Sequence, residues 1–441
     1  MLNKLKSLIG HQGFRKYFFN TGWLMADKIV SIFFGLFIGI WVARYLGPGK
    51  YGLLNFAISF VSLFSAVGTL GLDEIIVRNI VREPESRDNI LGTSFFLRLF
   101  SSILLLIFVF VVLEIIHTST YDKIIVMIIA FGQIFTNFNI IDYYFQSQVK
   151  AKFSGISNVL GRLSSYAARV IFIVLGMSVI WFAVAVVIEQ LIKGIFLLYF
   201  YLKNKLSVLT WKYSKQTAKN LLKDSWSLIA SGIAITIYMG IDQVMIKEML
   251  NNKAVGEYAV AVKLSTFFLF ITVAITASLS PAITSAKKKS QKLYELRLIN
   301  LYKFLFITAL ILSFITYISS GEIIKILYGN KYLEAIGVLK IYCWSIIFVF
   351  LNNASWQWYI NENLQKLAFL KLLLGASMNI LLNFFLIKRY GIVGSAYATI
   401  ISYAIASYFG NLILKKTREN FIMQTKAIIS IFNFGSYKIE N

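Results

Sequence analysis

Apolar residues run in blocks of 20 or more along nearly the whole chain, separated by short polar connectors rich in Lys and Arg. At about 1.5 Å per residue, a helix made from such a block crosses a hydrocarbon core of about 30 Å. Twelve blocks are read, near residues 20–44, 53–72, 90–113, 123–146, 153–175, 178–202, 224–247, 256–284, 300–320, 335–358, 365–387 and 392–414. The stretch from Asn20 to Arg82 sets the pattern: an apolar run, a tight turn at Gly47-Pro48-Gly49, a second run from Tyr51 to Leu72, and a charged segment from Asp73. Between the fifth and sixth blocks only Gly176 to Ser178 intervenes, which predicts a very tight hairpin. Gly35 and Gly39 form a small-xxx-small stripe suited to close helix packing. The expected fold is an all-α polytopic membrane protein of about twelve transmembrane helices.

The connectors divide the chain. Residues 1–19 carry Lys4, Lys6, Arg15 and Lys16 without the apolar core and cleavage site of a signal peptide. They read as a cytoplasmic lead-in, with Leu2, Leu5, Leu8 and Ile9 suited to an interfacial helix. Residues 20–202 form a first six-helix bundle, 203–223 a basic cytoplasmic linker, 224–414 a second bundle and 415–441 a cytoplasmic tail. Alternate connectors hold about 28 Lys and Arg on one side against about 9 on the other, which sets both termini inside. Lys388 and Arg389 are the exceptions, placed outside by this count. An internal echo supports the division: Trp23 precedes Gly52 by 29 residues and Trp226 precedes Gly256 by 30. Two bundles facing one another across a central cavity is a transporter architecture.

Composition removes other classes. With 58% hydrophobic and 15% charged residues the chain is no ordinary soluble domain. The net charge of +24 sits in connectors, where it suits orientation and anionic lipid headgroups; no separate module offers a groove for nucleic acid. A lone Cys343 excludes an internal disulfide and a cysteine zinc site, and His11 and His117 have no second ligand at a useful spacing. No paired carboxylates in a soluble cleft, phosphate-cradling loop or nucleophile–base signature is found, so the expectation is a protein that is not an enzyme, with no cofactor and no metal firmly assigned. The Ile-, Lys- and Asn-rich composition suggests an AT-rich bacterial genome.

Charges inside spans each cost about 2.5–3.5 kcal/mol on insertion scales and must face protein, water or a partner. Glu189 and Lys193 stand at i,i+4 and are expected to neutralise each other; Asp142 is expected at the headgroups; Arg169 and Arg44 are near outer ends and suited to snorkelling. Arg162 is a further in-span cation. Lys28, Arg98 and Lys263 lie deeper, roughly 10–12 Å from the nearer span end, with Asp27 beside Lys28. Cations in a low-dielectric cavity attract phosphate and diphosphate oxygens, the alternative being snorkelling. A second set, Asp242, Asn379, Asn383 and Thr399, offers hard oxygen donors from three spans for a cation; interhelical hydrogen bonding is the plainer reading. Trp356, Trp358 and Tyr359 are read first as interface anchors and second as a sugar-stacking cluster.

The run Ala43-Arg44-Tyr45-Leu46-Gly47-Pro48-Gly49-Lys50-Tyr51-Gly52 resembles the Arg-Tyr-Leu-Gly-Pro turn of Wzx-type O-antigen and capsular polysaccharide-unit flippases. These form a family of the multidrug/oligosaccharidyl-lipid/polysaccharide exporter superfamily. Asn55 to Phe60, Leu70 to Asp73 with Arg78 and Arg82, and Tyr390 to Ala396 fit the same pattern. The resemblance implies two six-helix bundles with a cation-lined lumen and alternating access. Its substrate would be an undecaprenyl-diphosphate-linked oligosaccharide, moved from the inner to the outer leaflet of the bacterial cytoplasmic membrane. On that basis Lys28, Arg98, Lys263, Asp27 and Arg44 are the candidate lumen residues. Possible partners beyond anionic lipid are other polysaccharide-assembly membrane proteins. Relatives couple to sodium or protons, and a peptidoglycan-precursor flippase of the superfamily has a cation site between corresponding spans, which adds weight to Asp242, Asn379, Asn383 and Thr399. Here Asn383 supplies an amide where a carboxylate would serve. The rival readings are a cation-coupled multidrug exporter of the same fold, which would want acidic lumen residues, and a membrane-embedded polysaccharide polymerase, which would want a long outer loop.

Overall fold

The computed structural model describes the backbone of residues 12–432, with side chains from residue 31 onward. Asp27, Lys28 and Trp23 therefore lie outside the described side chains, and the interfacial reading of Leu2, Leu5, Leu8 and Ile9 lies outside the described residues, as does His11.

Every regular element among the described residues is helical. Hydrocarbon supplies no hydrogen-bond partner, so an apolar segment satisfies its backbone within itself. The helices are α1 Gln12–Leu63, α2 Ser65–Thr69, α3 Asp73–Arg82, α4 Arg87–Ile115, α5 Thr120–Gly132, α6 Asn139–Ser147, α7 Ala151–Val174, α8 Val179–Lys203, α9 Lys215–Met249, α10 Asn252–Phe267, α11 Leu269–Lys289, α12 Gln291–Tyr328, α13 Ala335–Tyr342, α14 Ser345–Asn361, α15 Gln365–Ala404, α16 Gly410–Ile413 and α17 Arg418–Phe432. A π-turn, Ile405–Phe409, joins α15 to α16.

Among the described residues, eight helices are long and apolar enough to cross a membrane, or nine with α13 and α14 as one bent span. Two effects account for the difference from twelve. The first two expected spans run on as one element, α1, broken at Gly47, and the last two as α15, broken at Gly391. The fifth, α7, carries Lys152, Arg162 and Arg169, which lower its apolarity.

The breaks need glycine. Gly47 has φ 70° and ψ 169°, a region open essentially to glycine alone. Gly391, at φ 58°, reverses α15 so closely that a Cβ on Gly394 would lie 2.0 Å from the Leu386 carbonyl oxygen. The α7–α8 hairpin turns at Gly176, φ 67°, where the Tyr45 hydroxyl donates to the Met177 carbonyl at 2.8 Å.

The chain forms two compact units, one holding Leu53–Thr236 with the chain up to Leu46, the other Gly47–Gly52 with the chain from Ile237. The first unit's core gathers Leu72, Ile75, Ile76 and Ile80 of the α3 region with Ile140, Ile141, Phe145, Leu197 and Tyr201. The basic stretch read as a linker is tied down in this unit: the Ser214 N–H donates to Thr93 Oγ1 at 3.0 Å, and Trp211 Nε1 donates to the Tyr201 hydroxyl at 3.1 Å. The second unit packs Tyr294, Leu298, Tyr302 and Leu305 of α12 against Phe350, Leu351 and Trp358 of α14, with Met423 and Ala427 of α17.

Three local expectations change. Through Phe432 the region read as a tail is helix α17, with Asn420 and Gln424 fully buried. Of the proposed interface anchors only Trp356 is exposed; Trp358 and Tyr359 are buried, because two and three steps of about 100° along α14 carry them to its inner face. Asp142 is buried as well.

Gly52 and Gly256, equivalent positions of the internal echo, meet within the second unit. A Cβ on Gly52 would lie 1.7 Å from the Asn252 carbonyl oxygen, and one on Gly256 2.0 Å from the Pro48 carbonyl oxygen. Gly52→Ala should therefore lower unfolding stability by about 3 kcal/mol or more. Gly321→Ala, in α12 with nothing within 4 Å of the new methyl, should be neutral or stabilising by about 0.5–1 kcal/mol. Thermal unfolding of the two detergent-solubilised variants checks the contrast.

Candidate functional site

Three helices of the second unit bring a polar constellation together. Asp242 comes from α9, Tyr258 from α10, and Asn379, Asn383 and Thr399 from α15. Asn379 and Asn383 share a face at i,i+4, and the reversal at Gly391 returns Thr399 to the level of Asn383. The Asp242 carboxylate accepts from Asn383 Nδ2 at 2.7 Å on Oδ1. On Oδ2 it accepts from the Tyr258 hydroxyl at 2.7 Å and from Thr399 Oγ1 at 2.9 Å. Asn383 Nδ2 also donates to Asn379 Oδ1 at 3.0 Å. All five side chains are buried, and among the described residues Asp242 faces no cation within ion-pair distance.

Three donors stabilise the carboxylate, yet the arrangement leaves Asn383 Oδ1, Asn379 Nδ2 and Ser395 Oγ without partners. A half-turn of the Asn383 amide would exchange Nδ2 for Oδ1 and add a further hard oxygen beside those of Asp242, Asn379, Thr399 and Tyr258. One carboxylate with neutral oxygens suits a monovalent cation. Among the described residues no group of three His, Cys, Asp or Glu side chains offers a transition-metal site. Tyr258 was not singled out from the sequence, since a tyrosine in an apolar helix carries no signal by itself.

The other sequence candidates are distributed over both units. Arg98, in the first unit, is fully buried; Nη1 donates to Asp73 Oδ1 at 3.1 Å, Tyr143 lies 5.7 Å from the guanidinium, and Nε and Nη2 have no partner. Arg44 is exposed three residues before Gly47. Lys263, in the second unit, is half-buried one turn from the end of α10. The remaining in-span charges pair across helices: Lys193 Nζ lies 4.0 Å from Asp142 Oδ2, and Arg162 Nε lies 3.9 Å from Glu189 Oε1. Gly161 permits this, since a Cβ there would lie 2.7 Å from the Glu189 carbonyl oxygen. Arg169 lies over the Tyr166 ring at 5.9 Å.

Two buried charges escaped the sequence reading. Glu257 is 1% exposed, and its Oε2 accepts from the Ala335 N–H at 2.9 Å, at the positive end of α13. Lys371, near the start of the block at 365–387, is 2% exposed. Proximity to a span end disguised both.

Tyr258→Phe and Thr399→Val each remove a donor from the same carboxylate oxygen. Each should cost about 1–3 kcal/mol, and the double variant should depart from additivity by 0.5 kcal/mol or more, as roughly expected for side chains sharing one partner. A double-mutant cycle by thermal unfolding measures both.

Comparison with known proteins follows the same lines. The fold is similar to the lipid II flippase MurJ in an inward closed conformation, with TM-score 0.71 at 16% identity over 94% of each chain. It is also similar to an inward-facing multidrug resistance MATE family transporter of the MOP superfamily, with TM-score 0.69 at 14% identity, covering 92% of this chain and 96% of that one. In sequence the chain is 23% identical to an uncharacterized membrane protein of Methanocaldococcus jannaschii, over 93% of this chain and 86% of that protein. It is 25% identical to the probable low-salt glycan biosynthesis flippase Agl15 of Haloferax volcanii, over 46% of this chain and 43% of that protein. The profile of the polysaccharide biosynthesis protein family matches residues 18–287, well over half of the chain. This multi-pass membrane protein, with a MATE/MurJ-like fold, belongs to the polysaccharide biosynthesis protein family.

Proposed function

We propose that this protein is a flippase for lipid-linked oligosaccharide, working by alternating access. The observation that carries the reading is the family match over residues 18–287 on a MurJ-like fold; the sequence likeness to a probable glycan biosynthesis flippase supports it. A sugar headgroup and a diphosphate cross hydrocarbon at a cost of many kcal/mol unless a protein shields them. The finer reading is an undecaprenyl-diphosphate-linked O-antigen or capsule unit, moved outward across a bacterial cytoplasmic membrane by a protein with both termini inside. Lys28, Arg98, Lys263, Asp27 and Arg44 are proposed to meet its headgroup. Arg98 would do so with the two N–H groups that Asp73 leaves free.

The chain is proposed to cross the membrane twelve times. Nine spans meet the length and apolarity test when α13 and α14 count as one. The breaks at Gly47 and Gly391 add two, and α7, 24 residues long, adds the last. Asp242, Asn379, Asn383, Thr399 and Tyr258 would hold a coupling cation, sodium or a proton. When bound, such an ion supplies the energy of its gradient.

Reconstituted in proteoliposomes, the wild type should flip a fluorescent polyprenyl-diphosphate oligosaccharide, and Lys28→Ala and Lys263→Ala should each reduce the rate at least tenfold with folding intact. Flipping unchanged in both variants would remove those residues from the site. Absence of wild-type flipping across several glycans, with export of cationic drugs instead, would favour the multidrug exporter. Sodium at ten times its dissociation constant should stabilise the wild type by about 1.4 kcal/mol in thermal unfolding, with choline as control. Asp242→Asn should abolish that increment; equal stabilisation of both proteins would exclude the site.

A further inference from the structure

Lys371 stands six residues into α15, outside the constellation around Asp242, with its side chain buried. Its Nζ donates to Asn411 Oδ1 at 2.6 Å and lies 4.5 Å from the centre of the Tyr359 ring. Its stem runs along Gly410, whose ideal Cβ position is 3.4 Å from Lys371 Cδ. Among the described residues no carboxylate is within 4.0 Å of Nζ.

The elements around it present neutral groups. From α14 come Tyr359, whose hydroxyl donates to the same Asn411 Oδ1 at 2.5 Å, and Ser355. The π-turn gives the Ser407 carbonyl, which accepts from Asn411 Nδ2 at 2.9 Å. From α17 come Gln424, whose Oε1 accepts from Asn411 Nδ2 at 3.1 Å and whose Nε2 donates to Ser355 Oγ at 2.7 Å, and Asn420. From α12 comes Tyr302, whose hydroxyl donates to Asn420 Oδ1 at 2.5 Å. The titratable groups of this network are thus phenols. Of the carboxylates on these helices or at their ends, Glu362 is paired with Lys287 at 2.8 Å, Glu295 accepts from Gln291 Nε2 at 3.0 Å, and Glu322 and Glu419 are exposed.

An ammonium has three N–H groups and a full charge; this site gives it one oxygen and one ring face. A neutral amine has two N–H groups and a lone pair, and the same surroundings serve it without leaving a buried charge uncompensated. Next to the network, Thr417 Oγ1 donates to the main-chain carbonyl of Asn411 at 2.8 Å, and the neighbouring Lys416 and Arg418 are exposed. Lys371, Asn411, Gln424, Ser355, Tyr359 and Tyr302 are all buried and hydrogen-bonded within the network, so a ligand larger than a proton would have to break it.

We propose that Lys371 is a proton-binding site of the second unit, distinct from Asp242: the Nζ–H bond breaks heterolytically, the electron pair stays on nitrogen, and water takes up the proton. The site stands on its own geometry and does not depend on the transported substrate.

The test uses the full-length protein in lipid nanodiscs, labelled with lysine carrying carbon-13 at Cε, and needs no transport. The Lys371 signal is assigned by its disappearance in Lys371→Met and, independently, in Lys371→Arg. In the wild type it should move from the ammonium to the amine position as pH is raised across the range in which the protein stays folded, below the value of about 10.4 at which a free lysine titrates. A Lys371 signal fixed at the ammonium position to the highest pH at which the protein stays folded, or fixed at the amine position throughout, would overturn the proposal.

Discussion

A bilayer interior offers a polar group no water, and this constraint governs both the backbone and the side chains of the molecule. Uninterrupted helix satisfies the backbone, so each interruption needs its own remedy. Side-chain hydroxyls from neighbouring helices provide it. Thr236 Oγ1 donates to the Leu63 carbonyl at the end of α1 at 3.1 Å, Ser101 Oγ to the Val67 carbonyl of α2 at 2.7 Å, and Ser313 Oγ to the Cys343 carbonyl at the bend between α13 and α14 at 2.8 Å. The sharpest reversals fall on glycine, and Gly52 and Gly256 bring two backbones into direct contact where any side chain would separate them.

The same constraint sorts the ionisable side chains. Those with an ionic partner within reach are paired across helices, as Asp142 with Lys193 and Arg98 with Asp73. Asp242, Glu257 and Lys371 are buried among neutral donors, acceptors and helix ends instead. A paired charge is held in one state by its partner. A charge held only by neutral groups is not locked by an opposite charge, which is the ground on which a small cation is proposed at Asp242 and a proton at Lys371.

Much of the fold was legible because membrane insertion is written in local composition. The helix positions follow the apolar blocks to within several residues, and the glycines at 47, 176 and 391 marked the turns. Less of the site was legible. Four members of the Asp242 constellation stood out as polar residues where apolar ones were expected. Tyr258 did not, because its ring reads as apolar and its hydroxyl matters only once α10 lies against Asp242. Lys371 looked like a connector residue, and Gln424 like part of a tail, until α17 was seen docked on α12 and α14.

The sequence by itself determined that the chain is helical and crosses a membrane repeatedly, and where most of the helices break. These are properties of single segments in hydrocarbon. Tertiary structure alone decided which partners the in-span charges meet. Glu189 and Lys193 stand at the spacing for a pair within one helix, yet they reach Arg162 and Asp142 on other helices. Trp358 and Tyr359 turned inward, while Trp356 stayed on the surface. Such outcomes depend on the rotation of each helix about its axis and on the close approaches that Gly161, Gly394 and Gly410 allow. Those rotations come from packing against neighbours distant in the chain, and no local pattern encodes them.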